Sequence, residues 1–486
     1  MKKVIIIACV FFIGKLFAQE STTSYKKRVL ETTEVDFLTS YYTQDGNNAS
    51  VTGGIGTEEL TDVTPTIVVS LPLNADDVLT IDAGISAYTS ASSSNLNPFD
   101  GSSGASQGSG EVEDDKFSNK KSNAAGAYIG TPWAASSGAS RSDVWASITA
   151  DYSHSSDDRN TIVNADVSFA TEYDYSSFGF GGGITKLFNE KNTTLSLSTK
   201  IYLDTWRPEY PTELDSYYES NENLNSGFFF NVPIYNQSGL AIDKNSSNAW
   251  APTNSPFIQD KARNSYSLSF SFSQILSKNA QFSIFFDLVQ QKGWLSNPMQ
   301  RVYFADVDNY YIGDPTDIPY YTSAINQGVF QLADDIERLP NSRFKIPVGA
   351  RLNYYLNEMF TLRTYYRYYT DDWGIKSHTA EVELPIKITS KFTLYPSYRY
   401  YNQTEADYFA PYETALSTSE FYTSDYDLSK FNANQYGFGV SYTDIFATKH
   451  IWKFGLKSID LKYNNYKRNT GLTANIISAG CKFVMD

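Results

Sequence analysis

Between Ser265 and Ser273 every odd position is serine, while the even positions are Tyr266, Leu268, Phe270 and Phe272. A helix, turning every ~3.6 residues, would mix those two sets; a strand sorts them onto opposite faces. The next run repeats the sorting with Phe282, Ile284, Phe286 and Leu288. Other runs do the same with Leu79, Ile81, Ala83 and Ile85, with Val163, Ala165, Val167 and Phe169, and with Leu195, Leu197, Ile201 and Leu203. Val382, Leu384, Ile386 and Ile388 form a further set. From Glu34 onward the chain reads as all-β.

The connections between these runs come in two kinds. One kind is tight and polar: Asn74-Ala75-Asp76-Asp77, Asn189-Glu190-Lys191-Asn192, Ser277-Lys278-Asn279, Asn357-Glu358 and Thr389-Ser390-Lys391. These are turn residues that join antiparallel neighbours. The other kind is variable and often long, at 89–141, 207–262, 296–341 and 404–429, with short members at Ser176-Ser177 and Asp371-Asp372-Trp373. Alternation of tight and free ends is the pattern of a transmembrane antiparallel up-and-down β-barrel with short periplasmic turns and long extracellular loops. The runs number about sixteen, from 34–42 to 471–484, and an even count puts both termini on the periplasmic side. Residues 99–140, rich in Ser, Gly and Ala, read as a flexible surface loop.

Composition agrees. Aromatic residues make up 15%, with 37 Tyr and 31 Phe, yet mean hydropathy is −0.37. Nothing after residue 18 approaches the roughly 18 consecutive apolar residues of a helical span. In a barrel only one strand face meets lipid, so alternate residues stay polar. The net charge of −15 excludes nucleic acid as a partner, because phosphate rewards clustered Lys and Arg. It also argues against a basic helix lying on anionic lipid. The expected surroundings are outer-membrane lipid, reached through the barrel-assembly machinery. Met1-Lys2-Lys3, the apolar run Val4 to Gly14 and Leu16-Phe17-Ala18 read as a signal peptide over 1–18. A periplasmic segment follows over 19–33, then the barrel over 34–486. Cys9 falls in that leader, which leaves Cys481 alone, without an intramolecular disulfide partner.

If the apolar parity faces lipid, the other parity faces the lumen. It turns Asp82, Asp143, Asp151, Asp166, Glu172, Asp174 and Asp204 inward on one side of the ring. On the other side it turns Arg343, Lys345, Arg351, Arg363, Arg367 and Arg399 inward, with Glu381 and Glu383 among them. Two walls of opposite sign give a transverse field that sorts ions and orients dipolar solutes. The same charges could instead pair into a network that fills the interior. The pairs Tyr41-Tyr42, Tyr354-Tyr355, Tyr365-Tyr366, Tyr368-Tyr369 and Tyr400-Tyr401 fit interface girdles, or cross-strand packing.

Catalytic constellations are weak, and the chain reads as a non-enzyme without a metal centre. His154, His378 and His450 fall on different strands or turns. The stretch His154 to Asn160 coincides with a periplasmic turn, where Asp157 and Asp158 serve turn chemistry; calcium is the other use for such carboxylates, and no spacing matches a defined loop. Asp100-Gly101-Ser102-Ser103-Gly104-Ala105-Ser106 resembles the acceptor motif of flavin transferases. On that resemblance Ser106 would receive covalent flavin mononucleotide through its phosphate. A loop rich in Ser, Gly and Ala also produces such strings by chance, as Ser137-Gly138-Ala139-Ser140 illustrates.

Several runs resemble an uncharacterised family of outer-membrane proteins common in Bacteroidota, domain of unknown function 3570. They are Tyr25 to Glu31, Ser86 to Ser92, the His154 to Asn160 turn, Lys186 to Asn192 and Trp452 to Gly455. The resemblance spans the mature chain and implies a porin-like outer-membrane barrel with no established activity. It also implies a flavin transferase and a small lipoprotein as frequent neighbours, hence a lipoprotein partner. The leading expectation is a non-enzymatic channel or structural barrel; the alternative is an accessory barrel of a flavin-linked extracytoplasmic electron-transfer system. Intact mass of protein from its native host separates the two. The alternative requires added flavin mass that Ser106→Ala removes, and an unmodified mass ends it.

Overall fold

Hydrocarbon offers no partner to a backbone N–H or C=O, so a sheet that crosses it must leave no open edge. The computed structural model of the protein, which describes residues 28–90, 143–208, 210–253, 260–321 and 329–485, meets that demand with a closed antiparallel ring of 16 strands. The first eight are β1 (Glu34–Asp45), β2 (Leu60–Pro72), β3 (Asp77–Ser90), β4 (Asp143–Ser155), β5 (Thr161–Thr171), β6 (Tyr175–Phe188), β7 (Thr193–Trp206) and β8 (Lys261–Ser277). Then come β9 (Ala280–Gly293), β10 (Ser342–Tyr355), β11 (Thr361–Asp371) and β12 (Lys376–Glu383, resuming at Ile386–Lys387 after Pro385). The ring is completed by β13 (Phe392–Gln403), β14 (Phe431–Thr443), β15 (Phe454–Arg468) and β16 (Thr473–Met485). Each strand pairs with its chain neighbours, and β16 returns to β1 in register from Val484 opposite Glu34 to Thr473 opposite Asp45.

Period two decides which side chain faces where. On β5, Val163, Val167 and Phe169 are about half exposed on the outside, while Asn164, Asp166 and Ser168 between them turn inward. On β8, Tyr266 and Leu268 face out and the serines face in. The outer face is thus a continuous apolar belt, the condition for a lipid-facing wall.

One end of the barrel is closed by tight turns. Asn74 Oδ1 accepts from the backbone N–H groups of Asp76 and Asp77, at 2.8 and 3.0 Å. Asn357 does the same for Met359 and Phe360, both at 2.9 Å. The side chains spare the turn backbone from going unpaired. Arg159, at the His154 to Asn160 turn, reaches back to Asp76 at 2.5 Å.

The other end departs from the expectation of free loops. Among the described residues, the connections 46–59, 207–260, 294–341 and 404–430 fold together into a cap with its own core. Helix α1 (Thr212–Glu219) packs Leu214 against Phe229, Ile234, Trp250, Ile312 and Leu332, all essentially buried. The short strands Tyr235–Asn236, Tyr310–Gly313 and Val329–Gln331 form a small sheet within it. Trp250 Nε1 donates to the Ala333 carbonyl at 3.1 Å. These connections carry enough aromatic and aliphatic side chains to bury, so collapse offsets the entropy of ordering long loops.

At the cap's centre Arg301 and Glu213 are completely buried, with Nε and Nη2 of the guanidinium meeting the two carboxylate oxygens at 2.6 and 3.0 Å. Arg301 Nη1 also donates to the Val51 carbonyl at 2.8 Å, which ties three connections to one cation. Glu213→Ala leaves a buried guanidinium without its carboxylate, a change that costs roughly 3–5 kcal/mol. Limited proteolysis should then cut within 207–260 and 294–341 faster, while the barrel keeps its heat-modifiable band on gels. Unchanged cutting rates would show that the pair does not hold the cap.

Candidate functional site

A cluster of charged residues on β10 to β13 occupies the face opposite the belt. Val348, Leu352, Tyr366, Val382, Tyr398 and Tyr400 are exposed outside, so Arg351, Arg363, Arg367, Glu381, Glu383 and Arg399, of the other parity, turn into the barrel. Register aligns Arg351, Tyr365, Glu381, Arg399 and Gln435 in one row across five strands. The next rows hold Asn353, Arg363 and Glu383 on one side, and Gly349, Arg367 and Thr379 on the other.

These rows line a cavity of about 560 Å³ bounded by Arg351, Arg363, Arg367 and Arg399 with Tyr365, Asn353, Thr379, Glu381 and Glu383. Arg399 is held by Glu381 at 2.5 and 2.8 Å, and Arg363 by Glu383 at 2.9 Å. Lys462 of β15 reaches the other oxygen of Glu383 at 3.3 Å. Arg351 and Arg367 have no carboxylate partner among the described residues. Arg351 sits 5.2 Å from the ring centre of Phe285 and 5.4 Å from that of Tyr365, and those two rings are stacked on each other. Gly349 makes the stack feasible, since a Cβ there would lie 2.2 Å from Phe285 Cζ. Arg367 lies 5.8 Å from the Tyr369 ring.

Toward the cap the basic wall continues. Arg343 pairs with Asp371 at 2.5 Å and lies 4.2 Å from the Trp373 ring centre. Arg468 of β15 pairs with Asp427 of the cap at 2.5 Å. Asp427 and Leu428 share a cavity of about 410 Å³ with Arg343, Arg367, Tyr369 and Tyr401. The 425–428 segment therefore reaches from the cap onto the inner wall, where Gln403 Nε2 donates to the carbonyls of Asp427 and Ser429 at 2.9 and 2.6 Å.

The opposite wall is less uniformly acidic than the sequence suggested. Asp82 stands between Val68 and Thr149 in register. Asp151 faces Asp166 and accepts from Asn164 Nδ2 at 3.2 Å. Asp166 is neutralised by Lys200, two strands away, at 2.5 Å. The pair spans β6 because Gly181 lies between them in register, where a Cβ would sit 2.8 Å from Asp166 Oδ1. Asp204 is buried and accepts from the Tyr175 hydroxyl. Glu172 is corrected: β5 ends at Thr171, and Glu172 lies with Asp174 in the turn to β6. Burial, and then Asp174, push its carboxyl up to about 7. The side chain of Asp143 and the whole of Ser106 lie outside the described residues.

The tyrosine pairs also need correction as girdles. Adjacent strand residues point to opposite faces, so Tyr366 is exposed outside while Tyr365 joins the inner cavity. Tyr369 and Tyr401 likewise line the inner wall. Sequence reasoning missed these three, together with Asn353, Thr379 and Arg468. The parity that found the arginines would have found them too.

A family model described as "Protein of unknown function (DUF3570)" matches residues 2–480. No curated protein matches. Among solved structures, a bacterial polysaccharide outer membrane secretin aligns over 94% of this chain and 99% of its own, at 8% identity and a TM-score of 0.41. The Pseudomonas putida toluene transporter TodX aligns over 94% and 90%, at 9% identity and 0.36. Pseudomonas aeruginosa OccK1 (OpdK) aligns over 94% and 99%, at 8% and 0.34.

Where the cap meets the basic wall it carries acids withdrawn from water, Glu337 fully and Asp425 and Glu58 in part. Burial, then Asp427, raises Asp425 to about 6. The same two causes bring Glu58 to about 7. Burial, then Asp425, raises Glu337 to about 8, although Thr423 Oγ and the Asn297 N–H donate to it. In an unfolded cap these groups would lose their protons nearer 4.5 for Glu and 3.8 for Asp. The folded cap thus binds more protons than the unfolded one at intermediate pH, and this contribution is lost as pH rises through the folded values. The cap's melting midpoint should fall as pH rises from about 4 to about 8, and Glu337→Gln should flatten the fall. A midpoint that rises over this window contradicts the assignment.

Proposed function

This chain belongs to the DUF3570 family, proteins of unknown function, and from its own barrel we propose a non-enzymatic outer-membrane channel with a charge-segregated, capped lumen. Its tight turns and both termini face the periplasm, and the cap faces outward. The observation that carries this reading is the inner face of β10 to β13. There, four guanidiniums and two carboxylates border a cavity behind a wall whose outer face is apolar. A merely structural barrel gains little from this, because burying charge costs several kcal/mol per ion unless pairing and water compensate. A water-filled path supplies that compensation and uses the field.

Asp82, Asp151 and Asp204 are the proposed acidic counterpart across the lumen, with Asp166 reduced by Lys200. Charges inside a low-dielectric wall interact beyond the distance at which bulk salt would screen them, roughly 8–10 Å, so each wall biases ions throughout the passage.

Purified, refolded protein in a planar bilayer tests the reading. Current should appear, and in a potassium chloride gradient the reversal potential should move toward cation preference in Arg367→Gln and toward anion preference in Asp82→Asn. A folded protein that passes no current removes the channel.

A further inference from the structure

The cavity on the basic wall is more than a biased stretch of passage. We infer that Arg351 and Arg367, supported by Arg363, Arg399 and Tyr365, form a saturable binding site for a small oxyanion carrying two or more acid groups, foremost a short di- or tricarboxylate. The inference rests on the reading of β10 to β13 as lumen wall and specifies what that wall holds.

Charge count comes first. Glu381 and Glu383 engage Arg399 and Arg363, which leaves Arg351 and Arg367 without a carboxylate among the described residues. A guanidinium presents a planar fork of donors that matches a carboxylate through two parallel hydrogen bonds. Two uncompensated forks in one cavity therefore favour two acid groups over one.

Spacing is the second consideration. Arg351 faces Tyr365, and Arg367 faces Gly349, so the two arginines are diagonal neighbours on adjacent strands, a relation that sets side-chain origins roughly 7–8 Å apart. A chain of two to four carbons between acid groups spans such a gap with one group per guanidinium. The cavity, about 560 Å³, falls within the roughly 300–1,000 Å³ typical of small-molecule sites.

Preorganisation is the third. Arg351 is steadied by the stacked Phe285 and Tyr365 rings rather than by an acid. Aromatic rings attract the cation without taking up its N–H donors, because the attraction runs through the ring face. Arg399 and Arg363 are clamped by their glutamates on neighbouring strands. An incoming anion meets cations already in place, so little ordering entropy is lost on binding. Thr379 and Asn353 add neutral hydrogen-bonding groups at the margin.

Calorimetric titration of the folded, detergent-solubilised protein at low salt tests this with citrate, succinate, acetate and pyrophosphate. Citrate and succinate should saturate one site. Acetate should bind at least about tenfold more weakly, since each bidentate charged contact is worth a factor of this order. Pyrophosphate binding tighter than citrate would keep the site and assign it to phosphates rather than carboxylates. Arg351→Gln/Arg367→Gln should weaken citrate at least about tenfold while heat-modifiable migration confirms a folded barrel, and Glu190→Gln, in the exposed turn between β6 and β7, should leave citrate binding intact. Absence of saturable binding to the unsubstituted protein, or equal affinity in the folded double variant, overturns the inference. Citrate should also block bilayer current. Binding without any current retains the site and discards the channel; current without binding does the reverse.

Discussion

The ladder between β1 and β16 is the constraint on which the rest depends, because it removes the last unpaired strand edges from a hydrocarbon environment. It runs unbroken from Glu34 to Asp45 on one strand and Val484 to Thr473 on the other. The seam is fixed by charge near the turn end, where Glu34 accepts Lys457 at 2.6 Å and Lys482 at 3.0 Å. Once the ring closes, parity stops being a local property. Every inward residue shares one enclosed space with residues far away in sequence, and every outward residue joins one belt.

Closure also explains the cap. Strand ends on one rim bring four long connections within reach of each other, so apolar residues too sparse for a core in any single loop become sufficient together. Leu214, Phe229, Trp250, Ile312 and Leu332 come from connections on either side of β8 and β9. Arg301 and Glu213 are tolerated without solvent because the fork geometry satisfies both partners and the Val51 carbonyl takes another donor. The 425–428 segment then carries the cap to the basic wall through Asp427 and Arg468, which joins the cap to the barrel interior.

Inside, the same alternation that builds the belt sorts each tyrosine pair. Tyr366 goes to the outside and Tyr365 to the cavity, so a sequence doublet supplies a residue of the outer belt and a platform for Arg351. Small residues are placed where the wall must be thin. Gly349 makes room for the Phe285 ring, and Gly181 lets Asp166 and Lys200 meet over an intervening strand.

Strand number, strand order, face assignment and turn chemistry were legible in the sequence, because side-chain period and turn residues are local and each strand reads its own alternation. Serines 265 to 273 and the Asn74 and Asn357 turns speak for themselves without reference to any other part of the chain. Which charges cancel was not legible. Asp166 is quenched by Lys200 and Arg363 by Glu383, while Arg351 is left to aromatic rings, and those outcomes follow from register between strands. Nor was the cap legible, since its core and its Arg301–Glu213 pair form only after barrel closure gathers loops separated by whole strands. Local periodicity fixed the faces; the enclosed geometry of the ring decided the partners, because pairing energy depends on distances that no single strand contains.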